Sequence, residues 1–230
     1  MTRKHESIAT RSYLSVTGKI LMAVLAVGVL ASCQNSSARA PRGFVSLFNG
    51  TDLTGWIGDT DGYVVEDGNI KCQPGGNLYT EKEFSDFILR FEFKLTSGAN
   101  NGLGIRTRPG VNAAYDGMEI QILENTADKW KNLKPYQYHG SIYGVVPADP
   151  AKRGVQKPVG EWNTEEVIAK GNHITVIVNG ETIVDADIAE AAKDGTMDKH
   201  PHPGLFNKTG NIGFLGHGSV VEFRNIYIKE

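Results

Sequence analysis

Two carboxylates and an amide on one predicted strand are the residues best spaced for acid–base chemistry. The segment Gly117–Asn125 carries Glu119, Gln121 and Glu124. On a regular strand Glu119 and Gln121 share a face, and the residues between them are apolar and face the core. A one-residue β-bulge would bring Glu124 to the same face, and bulges are common beside active sites. The pattern predicts catalytic roles for Glu119 and Glu124 and substrate binding by Gln121. The alternative is a strand face that merely carries charge.

A glycine-rich stretch supplies further candidates for ligand binding. In Asn100–Arg106, Gly102 and Gly104 leave space on one strand face for a flat ligand or another backbone. Arg106 offers a planar set of donors that suits carboxylates or sugar hydroxyls; the alternative is a purely structural ion pair with Glu119. Asn101 and Arg106 are therefore candidate substrate-binding residues.

Two histidines beside glycines are candidates for proton transfer or for binding one divalent cation. His139 lies in the segment Tyr138–Gly144, where it shares a predicted strand face with Tyr143, a candidate substrate-binding residue. His217 lies between two glycines at a predicted strand end. Trp162 is a further candidate, because an aromatic ring can stack on a sugar, although a buried anchoring role fits it equally well.

Short apolar runs with a period of two dominate the chain from residue 44 onward and must position these side chains. Phe87–Leu95 alternates strictly, and Asn179-Gly180 supplies a type I′ turn between two β-branched strands. One short helix is expected over Ile188–Lys193. Many strands without βαβ alternation predict an all-β fold, an antiparallel β-sandwich, in one domain at 43–230.

The N-terminus has the features of an export signal. The apolar run Ile20–Ala31 would make about 18 Å of helix, short of the roughly 30 Å hydrocarbon core of a membrane. The residues Leu30-Ala31-Ser32-Cys33 that follow resemble the lipobox of bacterial lipoproteins. We therefore expect a signal peptide over 1–32, a lipid on Cys33 and a polar tether over 33–42. The alternative is an ordinary signal peptide with an incidental cysteine.

Charge and composition limit the partners of the exported part. The whole chain has a net charge of −2, and removal of residues 1–32 leaves 20 basic and 25 acidic residues. This balance argues against nucleic acid and against direct binding to anionic membranes. The membrane contact is therefore expected only through the lipid anchor. Because Gln34 after the lipidated cysteine is not an inner-membrane retention signal, the outer membrane is the expected location.

The Glu-x-Gln-x-x-Glu spacing resembles the Glu-x-Asp-x-x-Glu bulge motif of laminarinase- and lichenase-type β-glucanases. That resemblance implies a nucleophile at Glu119 and an acid/base at Glu124, in a retaining mechanism. Gln121 stands where those enzymes have an aspartate, which argues against ordinary glucanase activity. A retaining β-glucanase is therefore kept as an alternative function.

A series of landmarks spans nearly all of residues 44–230. In order, they are Phe48–Trp56, Asn101–Arg106, Glu119–Glu124, His139–Tyr143, Gly160–Asn163, Gly171–Gly180, Gly213–Gly218 and Val221–Ile226. Together they resemble the 3-keto-disaccharide hydrolase domain family. The resemblance implies a concanavalin- or lectin-like jelly roll that acts on glycosides whose sugar has been oxidised at C3.

Such a reaction needs a base near C2, a group that stabilises the enolate, and an acid for the leaving group. We expect His139 or His217 to be the base and Arg106 or a bound divalent cation to stabilise the enolate, because these groups can converge on one face. Glu119 or Glu124 would then be the acid or a metal ligand. A carbohydrate-binding module without catalytic activity is the other alternative, because this fold hosts lectins as readily as enzymes.

Overall fold

The computed structural model describes residues 39–230. The predicted signal peptide, Cys33 and most of the tether lie outside the described residues. In the part of the chain that is described, no helix has the length and apolarity needed to cross a membrane.

Strands make up most of the regular structure in residues 39–230. They are β1 Val45–Ser46, β2 Trp56–Gly58, β3 Tyr63–Glu66, β4 Asn69–Cys72, β5 Asn77–Phe84, β6 Phe87–Leu95, β7 Asn100–Thr107, β8 Met118–Leu123, β9 Trp162–Lys170, β10 His173–Val178, β11 Glu181–Asp187, β12 Gly210–Gly216 and β13 Val221–Lys229. One α-helix, α1, spans Ile188–Ala191, and short 3₁₀ turns lie at Thr60–Gly62, Asp128–Trp130, Pro135–Gln137 and Pro150–Val155.

The strands form two antiparallel sheets that face each other. The larger sheet has the order β11-β10-β9-β6-β13-β4-β3, with β1 paired to β13, and the five-stranded sheet has the order β2-β5-β12-β7-β8. Neighbours in these sheets are far apart in the chain, as in β6 beside β13 and β7 beside β12. This architecture confirms the predicted antiparallel sandwich of jelly-roll type.

The alternation of β6 explains how the two sheets bury a common core. Leu89, Phe91 and Phe93 are fully buried, whereas Arg90 on the opposite face is exposed. Facing strands contribute more aromatic rings, and Phe214 of β12 stacks on Phe223 of β13 with ring centroids 3.7 Å apart. Burial of this apolar area is the main favourable term in the folding of the sandwich.

Two predicted local elements are found, one of them shorter than expected. Asn179 and Gly180 have φ of +50° and +89°, as the type I′ turn between β10 and β11 requires. Helix α1 begins where expected, because the Asp187 carboxylate accepts hydrogen bonds from the backbone N–H groups of Ala189 and Glu190. It ends at Ala191, before the predicted Lys193, and the chain then turns toward Gly195.

The segment that follows β8 adds an irregular edge to the five-stranded sheet. The backbone N–H of Gln121 donates to the carbonyl of Ser141 over 3.0 Å, and that of Tyr143 donates to Glu119 over 2.8 Å. Gly140 has φ of +77°, so the period-two alternation predicted for Tyr138–Gly144 breaks at this residue. This break decides which side chains of the segment reach the outer face of the sheet.

Candidate active site

Glu119 and His217 form a pair on the outer face of the five-stranded sheet. Glu119 belongs to β8 and His217 follows β12, with β7 between these strands. Nε2 of His217 lies 3.3 Å from Oε1 of Glu119. Gly102 of β7 makes this contact feasible, because a Cβ atom at that position would lie 2.1 Å from the same carboxylate oxygen. The predicted space above the glycines is therefore occupied in part by Glu119 itself.

The Glu119 carboxylate and the burial of the ring act on the pKa of His217 in opposite directions. The hydrogen bond that His217 donates to the Glu119 carboxylate raises the pKa of His217, although partial burial of the ring acts in the opposite direction. The His217 side chain is 43% exposed and that of Glu119 only 7%. The imidazole can therefore meet a ligand while its carboxylate partner stays beneath it.

The pair lies in a cleft of about 310 Å³, at the small end of the roughly 300–1,000 Å³ range of ligand pockets. Its lining combines amides with aromatic rings, namely Asn100, Gln121 and Gln137 with Tyr115, Trp130 and Tyr143. Such a mixture of hydrogen-bonding groups and flat rings suits a neutral, polyhydroxylated ligand. Among the sequence candidates, Glu119, Gln121, Tyr143 and His217 all reach this cleft, and their catalytic or binding roles stay predictions.

Tyr143 presents a hydroxyl whose direction is constrained. The side-chain amide Nε2 of Gln137 donates to the Tyr143 oxygen over 3.2 Å. The Tyr136 ring packs edge-on against the Tyr143 ring at a centroid distance of 5.7 Å. Because the oxygen already accepts a hydrogen bond, the phenolic hydrogen is available to a ligand.

Tyr115 is held against a buried histidine–aspartate pair. Its ring packs edge-on against His202 at 4.8 Å, and Nε2 of His202 lies 3.1 Å from each carboxylate oxygen of Asp198. Burial raises the pKa of Tyr115, and the Asp198 charge acts in the same direction. Tyr115 therefore stays a protonated phenol at neutral pH.

A second cavity, of about 380 Å³, lies on the outer face of the larger sheet. Two of its charged lining residues, Arg90 and Glu166, pair with each other, and a third, Glu92, pairs with Arg224. No histidine lines it among the described residues. We therefore place the chemistry in the smaller cleft.

The prediction that His139 shares the face of Glu119 is wrong. The His139 ring is buried between the sheets, where it packs on Phe93 with a centroid distance of 5.0 Å. Its Nδ1 accepts a hydrogen bond from the backbone N–H of Leu123, and its Nε2 lies 3.5 Å from a Glu165 carboxylate oxygen. The break in alternation at Gly140 turns this ring inward, so His139 does not reach the cleft.

The bulge that would bring Glu124 beside Glu119 is not present in the described β7–β8 pair. The register runs without a shift from Asn100 opposite Leu123 to Ile105 opposite Met118. Glu124 lies just beyond the strand, where its carboxylate accepts hydrogen bonds from the backbone N–H groups of Gly98 and Thr126. Burial opposes ionisation, but these hydrogen bonds outweigh it and lower the pKa of Glu124. Glu124 therefore anchors a turn.

Arg106 also points away from the cleft, because a bulge occurs in β7 rather than in β8. Between β7 and β12 the register shifts near Arg106, whose φ is +48°. The guanidinium is buried and donates to the carbonyls of Ser85 and Gly171 and to the Asp86 carboxylate. It therefore ties strands together and does not meet the ligand or Glu119.

Two predicted substrate-binding residues lie elsewhere. Asn101 is completely buried on the core side of β7, and its neighbour Asn100 reaches the cleft in its place. Trp162 lies on the larger sheet, with the Arg224 guanidinium 3.9 Å and the Lys94 ammonium 4.8 Å from its ring centroid. Alternation in β7 turns Asn101 toward the core, and Trp162 belongs to the sheet that does not carry the cleft.

The divalent cation stays a prediction. Within the described residues, no group of three or more His, Cys, Asp or Glu side chains is arranged to hold a metal ion. The cleft lining supplies one carboxylate and one imidazole, from Glu119 and His217. Zinc sites use at least three protein ligands, so this donor set does not fit a zinc centre.

Several cleft residues were not among the sequence candidates. Tyr115 and Asn112 lie in the loop before β8, and Trp130 and Gln137 lie in the loop after it. Both loops flank the Glu119 strand, and each carries aromatic and amide side chains. Proximity to Glu119 in the chain was the only available signal, because neither loop has a periodic pattern.

Comparisons with known proteins bear on the family and the fold of the chain. A family model described as a 3-keto-alpha-glucoside-1,2-lyase-like domain matches residues 43–229. A 3-keto-disaccharide hydrolase of Bacteroides thetaiotaomicron is 26% identical, over 81% of this chain and 78% of its own length. A crystal structure from Parabacteroides distasonis, provisionally assigned as a glycosyl hydrolase, is 30% identical with a TM-score of 0.72, covering 81% of this chain and 98% of that one. A Bacillus subtilis protein with a galectin-like fold has a TM-score of 0.52 at 13% identity, covering 83% and 96%, and shows the fold alone.

Proposed function

The chain belongs to the 3-keto-alpha-glucoside-1,2-lyase-like family and is a glycoside hydrolase-type enzyme, and on this premise we propose that it cleaves 3-keto-glycosides by elimination followed by hydration. The observation that carries the proposal is the Glu119–His217 pair in a cleft lined by amides and tyrosines. A C3 ketone acidifies the hydrogen at C2, so a single well-placed base suffices to start the reaction.

His217 is the base in this proposal. The Glu119 carboxylate accepts a hydrogen bond from Nε2 of His217, so the hydrogen of the neutral ring stays on Nε2 and the lone pair is on Nδ1. Nδ1 then takes the proton from C2, and the electrons of the broken C–H bond form an enolate at the C3 oxygen. The positive charge that develops on the ring is stabilised by Glu119.

Neutral donors complete the reaction. The Tyr115 and Tyr143 hydroxyls and the Gln121 amide are the candidates for hydrogen bonds to the enolate oxygen. Collapse of the enolate forms the C1–C2 double bond and expels the C1 substituent with its bonding electron pair. The leaving oxygen takes a proton from the imidazolium or a tyrosine. Water then adds, with hydroxyl at C1 and hydrogen at C2, to give net hydrolysis.

The first test compares oxidation states of the sugar. Purified protein would be assayed on p-nitrophenyl α- and β-glucosides and on their 3-keto analogues, with enzyme-free controls for spontaneous elimination. We expect release from 3-keto substrates only, and deuterium at C2 should slow it several-fold because that bond breaks. Release from the plain glucosides would instead favour the retaining glucanase. Parallel assays with EDTA and with added Ca²⁺ or Mg²⁺ test the predicted cation.

We also propose that the protein is a lipoprotein, anchored through Cys33 to the outer membrane. The support is the sequence alone, from the apolar run and the residues Leu30–Ser32 before this cysteine. The full chain expressed in a bacterium should partition into detergent and take up labelled fatty acid. Cys33→Ser should abolish the labelling, and labelling that persists in this variant would contradict the proposal.

A further inference from the structure

One end of the cleft is built from side chains that the proposed chemistry does not use. Trp130 and Leu133 line it together with Leu123, the last residue of β8. Glu119 lies near the beginning of the same strand, so four residues, or about 13 Å of extended chain, separate it from Leu123. This distance is longer than one sugar ring, so the cleft has room for a group beyond the reacting sugar.

The Trp130 ring is held in place by its neighbour in the chain, Lys129. The Lys129 ammonium lies 4.6 Å from the centroid of the Trp130 ring. The Lys129 stem packs against Gly98, where a Cβ atom would lie 2.5 Å from Cε of the lysine. Trp130 also ends a 3₁₀ turn, in which its backbone N–H donates to Ala127 over 2.8 Å. A ring fixed before binding loses little conformational entropy when a ligand stacks on it.

The charged groups that line the cleft disfavour a negatively charged ligand at this end. No lysine or arginine side chain lines the cleft among the described residues. Its one lining carboxylate, Glu119, is paired with His217, and the buried Asp198 lies behind Tyr115. The Lys129 ammonium contacts the Trp130 ring but is not part of the lining, which offers a negatively charged leaving group one carboxylate and no cation.

From these contacts we propose that Trp130 and Leu133 form the leaving-group subsite, which takes a neutral flat ring as the C1 substituent. The inference rests on the proposed cleavage of 3-keto-glycosides and names the class of substrate. Both a second sugar ring and an aryl group have this shape, and apolar contact with the Trp130 ring would bind either.

The test compares three 3-keto-glucosyl substrates that differ in the leaving group: p-nitrophenol, a second glucose, and fluoride, which has no ring. Trp130→Ala should lower kcat/KM about tenfold for a substrate whose ring uses the subsite and less than twofold for the fluoride. Trp130→Phe, which keeps a flat ring, should recover most of the loss. Trp162→Ala is the matched control, because that tryptophan lies on the other sheet, and it should change none of the three rates.

Each result decides the proposal. A loss on one or both of the ring-bearing substrates, with the fluoride unchanged, supports the subsite and shows whether it takes an aryl group, a sugar ring or both. An equal loss on all three substrates in a variant with native circular dichroism overturns it, as does no loss on either ring-bearing substrate. If the unaltered protein is inactive on all three substrates, both the proposed function and the subsite are overturned. If it is active, and Trp130→Ala leaves the ratios of kcat/KM among the three substrates unchanged, only the subsite is overturned.

Discussion

Oε1 of Glu119 reaches Nε2 of His217 across β7, at the point where that strand carries Gly102 in place of a side chain. The two residues are 98 positions apart in the chain. Their contact depends on the order β12-β7-β8 and on the absence of a Cβ atom between them. The glycine is therefore part of the geometry of this pair, although it offers no chemical group of its own.

Gly102→Ala should separate the pair without unfolding the sheet. The added Cβ would lie 2.1 Å from Oε1 of Glu119 and within 3 Å of two further atoms of that side chain, so the carboxylate must move. We expect a loss of roughly 10²-fold or more in kcat, as for removal of a general acid–base group. Steady-state kinetics on the 3-keto substrate measures the loss. Gly154→Ala is the control, because a Cβ there meets nothing within 4 Å; equal activities of the two variants would contradict the prediction.

The pH profile should report the Glu119–His217 contact. Because Glu119 raises the pKa of His217, the base becomes protonated as the pH falls through a value above the ordinary 6.5. The acid limb of kcat/KM should therefore lie above pH 6.5 in the unaltered protein. It should move to lower pH in the residual activity of Glu119→Gln, whose amide stabilises the imidazolium less. NMR titration of the His217 ring gives the same pKa independently, and an acid limb that does not follow this ring in both proteins would show that another group is the base.

Tyr143→Phe should lower kcat more than it raises KM. The substitution removes one hydroxyl, which Gln137 orients and which is expected to donate to the enolate or to the leaving oxygen. Loss of one such donor costs about 100- to 1,000-fold in kcat. Tyr138→Phe is the control, since Tyr138 does not line the cleft and packs its ring against the Arg153 guanidinium. A change in KM alone would assign Tyr143 to binding rather than to the chemical step.

The fold was predictable from the sequence because its signals are local. Strict alternation in β6 fixes which side chains enter the core, and positive φ at Asn179-Gly180 fixes the β10–β11 hairpin. The cleft face of β8 followed from the same rule, which places Glu119 and Gln121 opposite the apolar residues of that strand. Period-two patterns carry this information residue by residue.

The rest of the site could not be predicted because single residues interrupt the alternation. Arg106 turns away at a bulge that depends on the partner strand β12, and His139 turns inward next to Gly140. Neither event leaves a periodic signal, since each is set by contacts between residues far apart in the chain. The loops that supply Tyr115 and Trp130 were missed for the same reason.

His139 and Glu165 form a second histidine–glutamate pair, but this one is buried in the core. Their side chains are 1% and 0% exposed, and Nε2 lies 3.5 Å from Oε2. The backbone N–H of Leu123 donates to Nδ1, so in the neutral ring the hydrogen is on Nε2, on the side of Glu165. Burial lowers the pKa of His139 to about 3 and raises that of Glu165 to about 8. Both groups are therefore neutral in the folded protein at pH 7.

Glu165→Gln should stabilise the protein increasingly as the pH rises. Unfolded Glu165 loses its proton above about pH 4.5, whereas the folded protein keeps it up to about pH 8, so the unaltered protein loses stability across this interval. His139 acts with the opposite sign and only below about pH 6.5, and it is present in both proteins. The free energy of unfolding of Glu165→Gln, minus that of the unaltered protein, should therefore increase by up to about 1.4 kcal/mol per pH unit. Urea unfolding at pH 5 and pH 8 measures this gain. A difference that stays constant between these pH values would mean that the Glu165 carboxyl group is ionised in the folded protein.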